Sequence, residues 1–237
     1  MTSTNDHALD WLKAGAADWS LVVADTQTNG RGRDGRLWVS KPGVSLAISL
    51  ILRPSISETI CITRFTALGA LGVIDALGKL GLKAEIKWPN DVLLDGKKVG
   101  GILVENEWAG ERLEGLVVGL GLNVHPEAVP DQATLRYPAV SVEEVLGKPV
   151  DRWALLVDIL KAIKAQRKDV CSQGFVANWN AHLAFREKWV NFQAVDGSVQ
   201  RVKIGGVTGD GQIVLKNEDG ERFSAVAGEI VIGKEGL

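Results

Sequence analysis

The sequence predicts an α+β protein in which helices pack against a mixed, largely antiparallel sheet, followed by a small C-terminal β-barrel. Asp95-Gly96 lies between two apolar runs, which is the strongest short-range signal for an antiparallel hairpin. After Glu187, three further Asp-Gly pairs separate short runs of alternating polarity, a pattern typical of a small all-β unit. We therefore predict a larger domain over residues 1–186 and a β-barrel domain over residues 187–237.

The individual elements follow from the spacing of apolar residues and from cap residues. The first helix begins behind an Asn5/Asp6 cap, and a Ser141–Glu144 capping box opens a short helix. Longer helices are predicted, in order, over residues 6–17, 68–80, 151–170 and 175–184. Strands are predicted over residues 20–25, 45–52, 84–88, 92–94, 98–108 and 113–124, and in the small domain over 199–204, 212–215, 222–226 and 230–232.

The composition excludes several classes of protein. Lys and Arg number 27 against 29 Asp and Glu, a balance that argues against a protein that coats a polyanion. The N-terminus has no basic and apolar leader. The most apolar stretch, residues 60–82, is interrupted by charged residues, so we predict no membrane segment. Cys61 and Cys171 cannot form a disulfide framework, which fits a reduced, cytoplasmic setting.

The Gly-Arg loop, residues 30–36, is the most informative segment. Gly30, Gly32 and Gly35 match the G-x-G-x-x-G dinucleotide pattern, but that match alone is weak and no helical run follows it. The loop also contains three arginines, Arg31, Arg33 and Arg36. Arginine suits multidentate phosphate binding, and a flexible backbone would let the guanidinium groups converge on one phosphate. A solvated basic turn and a nucleic-acid patch are alternatives, which the near-neutral charge disfavours.

Three other segments place polar or small residues where a ligand could bind. In Lys87-Trp88-Pro89-Asn90-Asp91, Asp91 is a candidate general base or Mg²⁺-facing group, with a turn-capping residue as the alternative. Lys98 lies at the mouth of a hairpin beside Gly100-Gly101, where an ordinary surface lysine is the alternative. Gly119-Leu120-Gly121-Leu122-Asn123 alternates glycine within a strand, which weakens the strand unless a ligand or backbone lies close.

Taken together, these segments resemble the biotin protein ligase, or biotin–[acetyl-CoA-carboxylase] ligase, family. The match covers essentially the whole chain, in the family's order and approximate spacing. It comprises Ser3-Thr4-Asn5, Gln27, residues 30–36, Trp38, and residues 87–91, 98–105 and 119–123. The C-terminal unit is similar to the family's SH3-like β-barrel, and the chain looks like the monofunctional form without an N-terminal DNA-binding domain.

The resemblance implies a two-step reaction with ATP, accompanied by Mg²⁺, and biotin as substrates. Biotin attacks ATP to give biotinyl-5′-adenylate and pyrophosphate, and a lysine of a biotin carboxyl carrier domain then takes the biotinyl group. The implied biotin-binding residues are Ser3, Thr4, Gln27, Gly30, Arg31, Lys98, Gly119 and Gly121. The implied adenylate-binding residues are Arg33, Arg36, Trp38, Asn90 and Asn123. The implied catalytic residues, all in the 1–186 domain, are Lys98, Arg31, Arg33 and Asp91, with Asp91 orienting or deprotonating the acceptor lysine.

The resemblance leaves two alternative functions and several properties undecided. A lipoate or octanoyl ligase has the same fold, and a non-catalytic nucleic-acid-binding module belongs to a different class. No resident metal site is predicted, because Mg²⁺ is expected to arrive with ATP. We expect no binding to DNA, and a homodimer is left open. Ser3 and Thr4 follow only Met1 and Thr2, near a terminus where order is least assured.

Overall fold

The computed structural model describes residues 1–39 and 41–231. The larger of its two sheets contains β1 Leu21–Ala24, β2 Ser45–Leu52, β3 Ala84–Lys87, β4 Asp91–Leu94, β5 Lys97–Ala109 and β6 Arg112–Asn123, in the order β1-β2-β6-β5-β4-β3. The helices are α1 Thr4–Lys13, α2 Ile56–Thr59, α3 Phe65–Lys79, α4 Val142–Leu146, α5 Arg152–Arg167 and α6 Gln173–Ala181. Neighbouring strands of this sheet pair antiparallel, with parallel contacts at isolated bridges, and the predicted α+β class is confirmed.

The core lies on both faces of the larger sheet. All eight residues of β2 are buried, because α1 covers one face of the sheet and α3 and α5 cover the other. A Cβ on Gly72 of α3 would overlap Ile163 of α5, so glycine permits the close approach of these two helices. Although α3 is strongly apolar, no helix in the described part of the chain is both long and apolar enough to cross a membrane.

Helix α1 begins two residues earlier than predicted. Its N-cap is Ser3, whose Oγ accepts a hydrogen bond from the backbone N of Asp6, so the predicted Asn5/Asp6 cap is wrong. The Asn5 side chain is committed elsewhere: its Nδ2 donates to Glu105, and its Oδ1 accepts from Ser49 Oγ at 2.5 Å. Asn5 therefore makes buried tertiary contacts while Ser3 caps the helix, and the sequence pattern did not distinguish these two roles.

The C-terminal unit is a five-stranded antiparallel sheet. Its strands are β7 Trp189–Gln193, β8 Val199–Val207, β9 Ile213–Asn217, β10 Arg222–Ala225 and β11 Glu229–Val231, in the order β10-β9-β8-β7-β11. The three predicted Asp-Gly turns connect β7 to β8, β8 to β9 and β9 to β10. Strand β7 was not predicted. Because the short β11 pairs with β7 and not with β10, the described strands form an open sheet where a closed barrel was expected. Residues 232–237 of the predicted domain lie outside the described residues, and the 186/187 boundary stays a prediction.

The interpretation of the two cysteines as reduced is wrong. The structure joins Cys61 and Cys171 in a disulfide, with their Cα atoms 5.6 Å apart. Helix α3 packs along α5, which brings the residue pair together although 110 positions separate it in the chain. The two cysteines are close because of how the helices pack, which cannot be predicted from their separation in the sequence.

Arg64 ties three segments together at the N-terminus of α3. Its side chain is buried, and its guanidinium donates hydrogen bonds to the backbone carbonyls of Gly209, Val170 and Ser172 at 2.7, 3.0 and 3.2 Å. These carbonyls belong to the β8–β9 turn and to the connection between α5 and α6. The arginine therefore fastens the C-terminal sheet to the helical layer.

We expect Arg64→Ala to lower the free energy of unfolding by about 3 kcal/mol, because it leaves several buried carbonyl oxygens without a donor. Urea denaturation, with the midpoint and the slope fitted separately, measures the change. Arg112→Ala is the matched control, since the Arg112 side chain is 78 % exposed and its loss should change stability by less than about 0.5 kcal/mol. Equal stability of the two variants would contradict the fastening role.

Candidate active site

A cavity of about 150 Å³ lies between the N-terminus of α1, the Gly-Arg loop, the larger sheet and the start of β11. The predicted site residues that line it are Ser3, Thr4, Gln27, Arg31, Arg33, Arg36, Trp38, Asn90, Asp91, Lys98, Gly119 and Gly121. Gly30 and Asn123 are predicted site residues that do not line it. The Asn123 amide is buried and donates to the carbonyl of Val140, which holds it behind the wall of the cavity.

Backbone hydrogen bonds give the Gly-Arg loop a shape of its own. The N–H of Gly32 donates to the carbonyl of Arg36 at 2.7 Å, and the N–H of Trp38 donates to the carbonyl of Gly30 at 2.8 Å. A Cβ on Gly30 would overlap the backbone carbonyl oxygen of Trp38, so only glycine fits at this position. Gly30 therefore shapes the loop without itself lining the cavity.

The three arginines of the loop do not converge on one point. Arg31 Nη2 lies 2.7 Å from Asp6 Oδ1 and 2.6 Å from Glu105 Oε2. Arg36 forms a bidentate ion pair with Glu229 of β11, at 3.1 and 2.5 Å. Arg33 lines the cavity with no hydrogen bond or ion pair to its side chain among the described residues. Arg31 and Arg36 are instead paired with carboxylates, which accept the same charge-assisted hydrogen bonds as a phosphate would.

The Arg36–Glu229 pair shifts the titration of both groups. The hydrogen bonds from Arg36 hold the pKa of the Glu229 carboxyl below its ordinary value, and those same bonds raise the pKa of the guanidinium. Both groups are therefore charged at neutral pH. The pair joins the Gly-Arg loop to the C-terminal sheet directly over the cavity.

Two lysines face one carboxylate at the β3–β4–β5 corner. Lys98 Nζ lies 2.5 Å from Asp91 Oδ1, and Lys87 Nζ lies 3.6 Å from Asp91 Oδ2. Asn90 is fixed beside them, since its Nδ2 donates to the carbonyl of Ile102 at 2.9 Å. Asp91 therefore has side-chain partners, which goes beyond the alternative of a simple turn-capping residue.

Glycines in β6 allow two side chains to lie directly on the strand. A Cβ on Gly119 would overlap the Asn5 amide, and a Cβ on Gly121 would overlap the Trp38 ring. The close approach that alternating glycine predicted is thus made here by side chains of the protein. Among the described residues, Trp38 Nε1 is buried without a hydrogen-bond partner. An unsatisfied buried donor in a cavity wall is typical of a site that a ligand completes.

The N-terminal residues Ser3 and Thr4 are packed into the wall of the cavity, although they lie near the chain end. Ser3 and Thr4 are buried, and Gln27 Oε1 accepts hydrogen bonds from the Thr4 backbone N at 2.7 Å and from its hydroxyl at 3.1 Å. The carbonyls of Met1 and Thr2 accept hydrogen bonds from the backbone of residues 28 and 29. This pairing fixes the start of the chain against the segment that leads into the Gly-Arg loop.

The chain matches a protein-family model described as "Biotin/lipoate A/B protein ligase family" over residues 1–123. This match covers more than half of the 237 residues and includes both the Gly-Arg loop and Lys98. The chain belongs to the biotin/lipoate A/B protein ligase family. The membership predicted from the motifs is confirmed.

Individual relatives of this ligase cover most of its length. It is 31 % identical over 228 residues to a bifunctional ligase/repressor BirA of Bacillus subtilis, with 93 % of this chain and 68 % of the relative covered. A biotin–[acetyl-CoA-carboxylase] ligase of Paracoccus denitrificans is 36 % identical over 188 residues, with 77 % and 76 % covered. A solved biotin protein ligase from Aquifex aeolicus, in complex with biotin and ATP, superposes with a TM-score of 0.80 at 28 % identity, with 97 % and 94 % covered.

Sequence reasoning assigned no role to three charged residues that line the cavity or pair with a residue that lines it. Glu229 lies 193 positions from Arg36, so no local spacing could connect them. Glu105 was quoted within a motif without a role, and the structure pairs it with Arg31. Lys87 is the first residue of the 87–91 motif. It pairs directly with Asp91 across a short antiparallel turn, which places both side chains on one face of the sheet. A hairpin predicted at this turn would have indicated that the two residues lie together.

Proposed function

We propose that this protein is an ATP-dependent biotin ligase, which forms biotinyl-5′-adenylate and transfers the biotinyl group to a lysine of a biotin carrier domain, such as that of acetyl-CoA carboxylase. The observation that carries the proposal is a cavity in which Arg33, whose side chain has no partner among the described residues, and a partly exposed Lys98 face a wall of hydrogen-bonding and apolar groups. A solved biotin protein ligase that resembles this chain is in complex with biotin and ATP. The whole arrangement suits two anions held side by side.

Biotin combines a polar ureido ring with an apolar ring and chain, and the cavity offers both environments. Ser3, Thr4 and Gln27 supply hydrogen-bonding groups at one end. The Trp38 ring on Gly121 supplies an apolar wall. A ligand seated between them would direct its carboxylate toward Lys98.

The first step joins two anions and therefore needs positive charge. A carboxylate oxygen of biotin attacks the α-phosphorus of ATP, a new O–P bond forms, and the bond to the pyrophosphate oxygen breaks with its electron pair. Lys98 and Arg33 would lower the repulsion between the reactants and stabilise the charge that develops. Arg31 and Arg36 would contribute after exchanging their carboxylate partners for phosphate. Mg²⁺ would enter as part of the nucleotide, bound by phosphate and water.

The second step needs a neutral amine. The ammonium of the acceptor lysine gives one proton to Asp91, and the amine attacks the biotinyl carbonyl carbon. The N–C bond forms, the C–O bond to AMP breaks with its electron pair on the phosphate oxygen, and the second nitrogen proton leaves to water. Asp91 lies beside Lys98, so the base and the anion-binding lysine share one corner of the cavity.

Pyrophosphate release from ATP tests the activity and its substrate together. We compare biotin, lipoate and octanoate as the acid in parallel assays with purified protein. Release that depends on biotin supports the proposal, and release with lipoate or octanoate alone would assign the rival lipoate or octanoyl activity. No release with any of the three acids would overturn the proposal.

We expect Asp91→Asn to impair transfer and spare adenylate formation. Asparagine keeps the shape of the side chain but cannot take a proton, so the defect should shrink at high pH as the acceptor lysine loses its proton unaided. Single-turnover transfer from preformed adenylate to a carrier domain, set beside pyrophosphate release, separates the two steps. Equal losses in both steps at every pH would assign Asp91 a structural role.

A further inference from the structure

Lys87 is a buried cation for which the two-step reaction described above has no use. Its side chain is 3 % exposed, whereas that of Lys98 is 31 % exposed on the same carboxylate. Lysine is rarely buried, because removing an ammonium from water is costly unless a partner offsets the loss. The partner here is Asp91, which pairs with Lys87 directly across the β3–β4 turn.

Each oxygen of Asp91 faces one lysine, and the two lysines differ in how exposed they are. Oδ1 faces the partly exposed Lys98 and Oδ2 faces the almost fully enclosed Lys87, and both lysines line the cavity. Lys98 is the lysine assigned to the substrate anions, so its ammonium would turn away from Asp91 when ligands bind. Without a second cation, the carboxylate would then stand beside a phosphate anion, a position that favours its protonated form. A protonated Asp91 cannot accept a proton from the acceptor lysine.

We propose that Lys87 is a positioning residue for the transfer step: it keeps Asp91 ionised and in place when Lys98 engages the substrate anions. This inference rests on the proposed function. Lys87 also lines the cavity, but its side chain is almost fully enclosed and its ammonium lies 5.0 Å from the centroid of the Tyr137 ring, so it is less free than Lys98 to leave Asp91. The buried lysine thus supplies a charge that stays with Asp91 in both steps.

Other charged groups around the pair are compatible with this role. Burial lowers the pKa of the Lys87 ammonium from its ordinary value, and the charge of Asp91 opposes that shift. Burial raises the pKa of Tyr137 to about 12, so its hydroxyl stays neutral over the working range. The titratable and charged groups that face Asp91 and Lys87 from the surrounding elements are Lys98, Arg36, Glu229 and Tyr137.

The test replaces Lys87 by methionine, which is unbranched, uncharged and suited to a buried site. Lys97→Met is the matched control, because Lys97 is an exposed lysine of β5, next to Lys98. Each variant is loaded with biotinyl-adenylate and mixed, over a range of pH, with either a biotin carrier domain or hydroxylamine. The carrier lysine needs a base, whereas hydroxylamine is neutral at ordinary pH and needs none.

For Lys87→Met, we expect the rate of transfer to the carrier domain to fall at a pH about 1–2 units higher than in wild type. At still higher pH, the rate should return to the wild-type value. The hydroxylamine reaction and the Lys97→Met profiles should match wild type. An unmoved limb, or equal losses with both nucleophiles at every pH, would overturn the inference. Biotin-dependent pyrophosphate release by wild type keeps this outcome separate from failure of the proposed function.

A measurement on wild type keeps the inference testable if Lys87→Met does not fold. Carboxyl-carbon NMR, with the Asp91 signal identified by its loss in Asp91→Asn, reports the charge of Asp91 directly. In complex with a non-hydrolysable analogue of biotinyl-adenylate, we expect Asp91 to be ionised at neutral pH. A protonated Asp91 in that complex would contradict the role of Lys87.

Discussion

Lys98→Ala should slow adenylate formation by about 10²–10³-fold, the usual effect of deleting one preorganised donor to a developing anion. The Lys98 side chain is 31 % exposed, so its removal creates no cavity in the core. Asp91 keeps Lys87 as a partner, so the local charge balance and the fold should survive. Pyrophosphate release with saturating ATP and biotin measures the loss.

The control for this prediction is Lys97→Ala, one position earlier on β5 and exposed to solvent. Thermal unfolding of both variants shows whether the fold is intact. A folded Lys98→Ala variant with near-normal pyrophosphate release would remove Lys98 from the mechanism. A loss of the same size in Lys97→Ala would point to general charge effects at this hairpin.

Arg33→Gly should release biotinyl-adenylate about 10–150-fold faster than wild type. A hydrogen bond from a charged group contributes roughly 1.5–3 kcal/mol, which corresponds to that range of escape rates. Arg33 is the arginine of the loop without a partner in the described part of the chain, so its side chain is available to the adenylate. The loop keeps its own hydrogen bonds through Gly32 and Trp38, and adenylate should still form.

Biotinyl-adenylate is a mixed anhydride, and once released it acylates any exposed lysine. Biotinylation of a bystander protein is therefore a second measure of its release. With ATP and biotin present, the Arg33→Gly variant should biotinylate serum albumin, whereas wild type should label mainly its carrier domain. Arg112→Gly, at the exposed start of β6, serves as the control. If Arg33→Gly releases the adenylate no faster than wild type, Arg33 does not retain the intermediate.

Features set by neighbouring residues could be predicted from the sequence. The Asp95-Gly96 turn and the three Asp-Gly turns of the C-terminal sheet occur where expected, as does the Ser141–Glu144 capping box with both of its hydrogen bonds. Each of these features depends on residues within four positions of one another, so it can be predicted from the local sequence. The order of motifs likewise sufficed to identify the ligase family.

Pairings between distant residues were decided only by the tertiary structure. Two pairings join segments that are far apart in the sequence, the Arg36–Glu229 ion pair and the Cys61–Cys171 disulfide. The burial of Ser3 likewise depends on segments that are distant from it in the sequence. Their existence depends on how helices pack and on the register of the strands, in which a shift of one residue would turn every side chain to the opposite face. Local sequence fixes neither the packing nor the register, because both arise from the burial of the whole core.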